Sequence, residues 1–210
     1  MDTNQLSGSI PSSLYDSNLI ELEAIRLNDN MLTGTIINDP KQLVQLESLG
    51  EFNVAKNQLI GTIPTEFGLL SNHLAFFDLS FNMISGTIPT ELGQLNDLNT
   101  LILLKNQLTG TLPSEIGLLS KLLVLSIGLN LGLTGPIPPT LLNIPSLGTY
   151  VHALFYCCCI SLYVPSLGEV PFVELGVERT GVRSRCRIRT GTYYVPRGRA
   201  LLTLRPGKYI

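Results

Sequence analysis

Two histidines and four cysteines are the residues with which this chain could hold a metal or attack a substrate: His73, His152, Cys157, Cys158, Cys159 and Cys186. A zinc site needs ligand pairs at short, fixed intervals, and His152 with Cys157, Cys159 and Cys186 has the wrong pair spacing. A Cys or Ser nucleophile needs a histidine base beside it, and neither histidine stands in a recognisable nucleophile pattern. His73 precedes an apolar stretch and reads as an exposed loop residue. Phosphoryl transfer has no signature either, since His-Arg-Asp, Asp-Phe-Gly and a Gly-x-Gly-x-x-Gly loop are all missing. The run Arg179, Arg183, Arg185, Arg187, Arg189, Arg197, Arg199 and Arg205 is basic enough to meet a nucleic acid, but no recognition module surrounds it. The expectation is a chain with no catalytic residue, no cofactor, no metal and no nucleic-acid partner. What remains is chemistry done by surfaces, and the elements that build those surfaces repeat.

The string Asn-x-Leu-x-Gly-x-Ile-Pro recurs from Asn4 and Asn57, and from Asn82 with Ile84 for Leu. It returns from Asn106 with Leu112 for Ile, from Asn30 with Ile37 for Pro, and from Asn130 with one extra residue. Ahead of each copy but the first stands Leu-x-x-Leu-x-Leu: Leu22/Ile25/Leu27, Leu49/Phe52/Val54, Leu74/Phe77/Leu79, Leu98/Leu101/Leu103 and Leu122/Leu125/Ile127. Alternation at the last two sites predicts a half-buried strand. Pro followed by Glu66, Glu91 or Glu115 predicts a brief 3₁₀ or helical turn. One such coil cannot bury its own apolar edge, so the coils must stack, strands parallel, leucines inward. Asparagine after each strand is expected to satisfy buried backbone groups. Gly8, Gly34, Gly61, Gly86, Gly110 and Gly135 are expected where the backbone needs freedom or close approach.

The residues between the inward leucines then share one open sheet face. They are Ala24, Arg26, Asn28 and Asp29; Glu51, Asn53, Ala55 and Lys56; and Phe76, Asp78, Ser80 and Phe81. Thr100, Ile102, Leu104, Lys105 and Val124, Ser126, Gly128, Leu129 complete it. The first half is of mixed charge and the second turns apolar. Candidate partner-binding residues are Arg26, Asn28, Asp29, Glu51, Asn53, Lys56, Phe76, Asp78, Phe81 and Lys105. Phe76 and Phe81, flanking Asp78, are the best candidates for dominant contacts, against the alternative of plain surface variation.

The composite pattern Leu-x-x-Leu-x-Leu-x-x-Asn-x-Leu-x-Gly-x-Ile-Pro-x-x-Leu-Gly-x-Leu, met nearly in full from Leu98 to Leu119, resembles plant-type leucine-rich repeats. These occur in receptor-like kinases, receptor-like proteins and polygalacturonase-inhibiting proteins. The resemblance covers residues 2–148. It implies an α/β right-handed solenoid of about five repeats, with a concave parallel sheet and short 3₁₀ or helical turns on the convex side. It also implies a second short strand at Leu-x-Gly-x-Ile-Pro, protein or peptide recognition on the concave face, and a place at the cell surface. The leading expectation is a non-catalytic recognition module from a receptor-like protein. The alternatives are a secreted inhibitor of the polygalacturonase-inhibiting kind, or a structural fragment. The family's cysteine-paired cap is missing, and the first copy starts at Asp2-Thr3-Asn4 without its strand, as in the tail of a longer array. No secretory pattern opens the chain.

Residues 149–210 follow a different grammar. Residues 1–150 carry five basic residues against thirteen acids, whereas 151–210 carry nine against three. Such opposed charge predicts a separate basic tail, either membrane-associated or disordered. The stretch 146–164 approaches membrane-spanning length with a basic flank, and Cys157–Cys159 beside it would be open to acylation.

Overall fold

The computed structural model describes residues 4–15, 19–37, 39–71, 73–144, 150–155, 158–162, 170–180 and 183–193. Five three-residue strands, Ala24–Arg26, Glu51–Asn53, Phe76–Asp78, Thr100–Ile102 and Val124–Ser126, lie side by side and parallel. Their register places Ile25, Phe52, Phe77, Leu101 and Leu125 in one row. After the asparagines a second set of short strands forms at the Leu-x-Gly segment, except after Asn57, where Ile60 and Thr62 make only isolated parallel bridges to Thr35 and Ser85. Ser7–Ser9 pairs with Met31–Thr33, and Ser85–Thr87, Gln107–Thr111 and Gly132–Thr134 stack in parallel. Six 3₁₀ turns then close the coils, at Ser12–Tyr15, Pro40–Gln45, Thr65–Leu69, Thr90–Gln94, Ser114–Leu118 and Pro139–Asn143. Pro64, Pro89 and Pro113 each stand at the residue before a turn with φ near −64°, the value their rings impose.

The apolar rows meet in one continuous core between the two faces. Val54, Leu79 and Leu103 are fully buried and Ile127 nearly so, while Leu22 and Leu27 in the first coil are only partly covered. Phe52 and Phe77 reach in from the sheet and Phe67 from the opposite 3₁₀ turn. Their rings meet edge-on or tilted, with centroids 4.6–5.8 Å apart, bridging the full depth of the core.

The asparagines do more than fill a turn. Asn82 accepts the Leu59 N–H at 3.0 Å through Oδ1, and its Nδ2 donates to the carbonyls of Val54, Leu79 and Ser80 at 3.0–3.2 Å. Two of those four partners, Leu59 and Val54, lie in the preceding coil. Asn57, Asn106 and Asn130 repeat the arrangement with Leu32 and Leu27, Ile84 and Leu79, and Leu108 and Leu103.

Glycines are needed for two different reasons. Gly61 and Gly86 adopt φ of +86° and +79°, which a side chain disfavours. Gly93 instead marks contact between turns: a Cβ there would stand 2.4 Å from the Glu115 carbonyl oxygen, and one on Gly68 would stand 2.6 Å from that of Glu91. Tyr15 takes the corresponding place in the first turn, which packs less closely on its neighbour. Its ring is buried and its hydroxyl donates to the Ile36 carbonyl at 2.7 Å. Burial pushes that phenol well above its ordinary pKa.

Beyond the repeats the backbone of Tyr150–Phe155 adds a further parallel strand beside Val124–Ser126, and it pairs antiparallel with Cys158–Leu162. Val170–Thr180 pairs antiparallel with Arg183–Tyr193. The described part of 146–164 is therefore extended where a membrane-length apolar segment was expected, in keeping with its β-prone Tyr, Val, Phe and Ile content. Among the described residues no helix is long and apolar enough to cross a membrane. Cys157 and residues 194–210, with Arg197, Arg199 and Arg205, lie outside the described residues.

Asn82→Ala strands one N–H and up to three carbonyls in the core, and is expected to cost about 2–4 kcal/mol in urea unfolding. Asn82→Asp, which turns a carboxylate toward those carbonyls, should be no milder. Gly93→Ala is expected to cost about 3 kcal/mol and Gly8→Ala only about 1 kcal/mol, because nothing lies within 4 Å of a Cβ on Gly8. Equal costs at the two glycines would rule out turn-to-turn contact as the reason for Gly93.

Candidate functional site

The ten candidate residues do fall on one face, across four adjacent strands and the turns after them. Arg26, Lys56, Phe81 and Lys105 are exposed; Asn28, Asp29, Glu51, Asn53 and Phe76 are half-buried. Asp78 is the exception, with 9% of its surface accessible. Its neighbours in register are Asn53 and Ile102, and Phe76 stands two residues away on the same strand. The small residues Ala55, Ser80 and Gly128 are also buried, so the face is lower along that row.

Charges on the first half are mostly spent on each other. Arg26 forms an ion pair with Glu51 on the next strand. The Lys56 ammonium lies 2.8 Å from the Asp29 carboxylate, which also accepts from the Asn28 amide at 3.1 Å. These two contacts hold the Asp29 carboxyl below the usual carboxylate range. Exposed pairs of this kind are screened by solvent, so they shape the surface more than they stabilise it. Further along, the Lys105 ammonium sits over the Phe81 ring, 5.0 Å from its centroid.

Asp78 is held differently. Its Oδ1 accepts the Ser80 N–H at 2.8 Å, and none of the ion pairs among the described residues includes it. Burial pushes its carboxyl above the ordinary carboxylate value, opposed by the Ser80 hydrogen bonds and, more weakly, by the field of Lys56. The second half of the face changes character: Thr100, Ile102, Leu104 and Val124 are half-buried, Ser126 is buried, and Leu129 is 46% exposed.

Asp29, Lys56, Phe81, Lys105 and Leu129, each just before its ladder asparagine, share φ of +53° to +55°. They form a row along one margin of the sheet, tied coil to coil by Asp29 N–H to Ala55, Lys56 N–H to Ser80, Phe81 N–H to Leu104 and Lys105 N–H to Gly128. An open depression beside this row is lined by Asn4, Gln5, Asp29, Asn30 and Lys56. Sequence reasoning missed Asn4 and Gln5, because the first copy has no strand of its own to mark its turn as part of the face. It also missed Glu23, Asn99 and Leu123, which precede the strands and extend the surface on the opposite margin; their signal was the position one after the first leucine of each pattern. No group of His, Cys, Asp and Glu able to hold a metal occurs among the described residues.

The geometry is that of a leucine-rich-repeat protein, and residues 73–95 match the family model for a leucine-rich repeat. The repeats are of the plant type. Among solved structures, the plant peptide hormone receptor RGFR1 in complex with RGF2 is similar at 35% identity and a TM-score of 0.66 over 73% of this chain and 23% of its own. The ectodomain of GASSHO1/SCHENGEN3 from Arabidopsis thaliana, in complex with CASPARIAN STRIP INTEGRITY FACTOR 2, is similar at 36% identity and a TM-score of 0.66, over 73% and 17%. The Arabidopsis receptor kinase HAESA, in complex with the peptide hormone IDA and the co-receptor SERK1, is similar at 31% identity and a TM-score of 0.67, over 73% and 25%. This chain therefore spans a quarter or less of those three receptor chains. No curated protein matches the chain.

Because the folded state raises the Asp78 pKa, folding favours its protonated form; that contribution is whole below the unfolded value and is lost as pH rises through the folded one. Asp78→Asn keeps an oxygen for Ser80 and does not ionise. The stability of the unaltered chain relative to Asp78→Asn is expected to fall as pH rises above the ordinary carboxylate value of about 3.9. A difference that stays flat above that value would mean the carboxylate is not desolvated.

Proposed function

We propose that this chain is a non-catalytic recognition module of a receptor-like leucine-rich-repeat protein, and that a protein or peptide partner seats on its concave face. The observation that carries this reading is the face itself. Five parallel strands hold a charged half and an apolar half on one surface, while the asparagine ladder ties the backbone beneath from coil to coil. Such a platform loses little conformational freedom when a partner arrives. The likeness to the receptors RGFR1 and HAESA, whose solved complexes contain the hormones RGF2 and IDA, supports a peptide as partner. In this reading residues 1–148 are the binding solenoid, residues 149–210 a separate basic segment, and the module works on the outer side of the cell surface.

Phe81 is 38% exposed beside the row of Asp78 and is the aromatic anchor of the site. Against a pool of short random-sequence peptides, Phe81→Ala is expected to weaken the selected binders about tenfold or more without lowering the unfolding midpoint appreciably. Glu91→Gln, in a convex turn, serves as the control and should leave affinity unchanged. Binders that tolerate Phe81→Ala but not Glu91→Gln would move the site off the concave face.

A further inference from the structure

Resting on the concave-face reading, one carboxylate on that face has a more specific use. Arg26 is paired with Glu51, Lys56 with Asp29, and Lys105 lies over the Phe81 ring, so each cation of the sheet face already has a contact within the chain. Asp78 is nine-tenths buried among the strands, with Asn53 and Ile102 as its uncharged neighbours in register. It belongs to no ion pair among the described residues. Its Oδ1 accepts the Ser80 N–H, a role an asparagine would fill equally well. A desolvated carboxylate lacking a salt-bridge partner costs stability, and the Ser80 hydrogen bonds and the more distant charge of Lys56 offset only part of that cost.

We propose that Asp78 is the anchor for a cationic group of a bound peptide, an Arg or Lys side chain, with Phe76 and Phe81 flanking the cation and an apolar side chain of the same peptide resting on Ile102, Leu104 and Val124. Once the peptide covers the row, water is displaced and the charge-assisted hydrogen bond strengthens. Exposed aromatic rings add to the attraction, as the seat of Lys105 on Phe81 illustrates. Spacing limits the ligand further. Neighbouring strands lie ~4.8 Å apart and an extended peptide advances ~3.3 Å per residue, so Val124, two strands from Asp78, is reached about three residues from the basic one.

The test uses the full chain and short acetylated, amidated peptides with a central Arg and a Leu about three residues to either side. Matched sets replace the Arg with citrulline, which keeps the shape and loses the charge, or with Glu. The Arg peptides are expected to bind at least about tenfold more tightly than the citrulline set. Asp78→Asn should bring that ratio near one while the Leu preference persists. A ratio unchanged in Asp78→Asn, or a preference for the Glu peptides, overturns the cation anchor. Binding that ignores the Arg-to-citrulline change yet is abolished by Leu104→Glu overturns the anchor and leaves the concave-face reading standing. Binding that survives Leu104→Glu, or no binding by any set, overturns both.

Discussion

Where each strand ends, the chain turns away from the sheet and leaves carbonyls and an N–H facing inward, beyond the reach of water. A buried amide group without a partner costs about 1–3 kcal/mol, and here the deficit recurs in every coil. One asparagine side chain answers it. The amide offers an acceptor and two donors, so Asn57, Asn82, Asn106 and Asn130 each serve their own turn and the coil before it with the same few atoms. No other uncharged side chain of that length presents both signs. The stacking of coils is therefore directional: every turn is completed by the coil that follows.

Several properties of the surface descend from that ladder. Because polar backbone groups are satisfied internally, the concave side chains carry little responsibility for folding and are free to differ from coil to coil. Arg26, Asn53, Asp78, Ile102 and Ser126 occupy equivalent places and share almost no chemistry. The core below them is less permissive. The contact of Phe67 with Phe52 and Phe77 fixes the thickness of the solenoid at its middle, under the same strand that carries Phe76 and Asp78. Rigid support and variable display are separated by the width of one backbone layer.

The repeat period made most of this architecture legible. Leucine spacing predicted the parallel strands and their inward rows, and Pro before Glu predicted the 3₁₀ turns at Thr65, Thr90 and Ser114. The six glycines of the Leu-x-Gly segment do take φ near +80°. The outward face was legible for the same reason, since alternation assigns each strand residue a side. Burial within that face was not. Asp78 is buried between Asn53 and Ile102, its neighbours in register, each about a coil away in sequence. Gly68 and Gly93 were likewise opaque, because their need arises from Glu91 and Glu115 in the following turn. Past Leu147 periodicity ceased to inform, and composition alone offered a membrane-associated or a disordered tail, neither of which names the strands Tyr150–Phe155 and Cys158–Leu162.

The five residues with left-handed backbones give the sheet margin an unusual economy. Glycine would relax each of those turns, and each holds instead an Asp, Lys, Phe, Lys or Leu. Left-handed φ costs such residues about 1 kcal/mol or more apiece. Summed along the row of five, the penalty is about 5 kcal/mol or more, above the ~2–4 kcal/mol that one rung of the amide ladder secures, so more than one rung's worth of the scaffold's surplus goes into side chains held at fixed intervals along an outer rail. A solenoid selected for endurance alone would carry glycine at those places; this one sacrifices tolerance to heat for a legible edge.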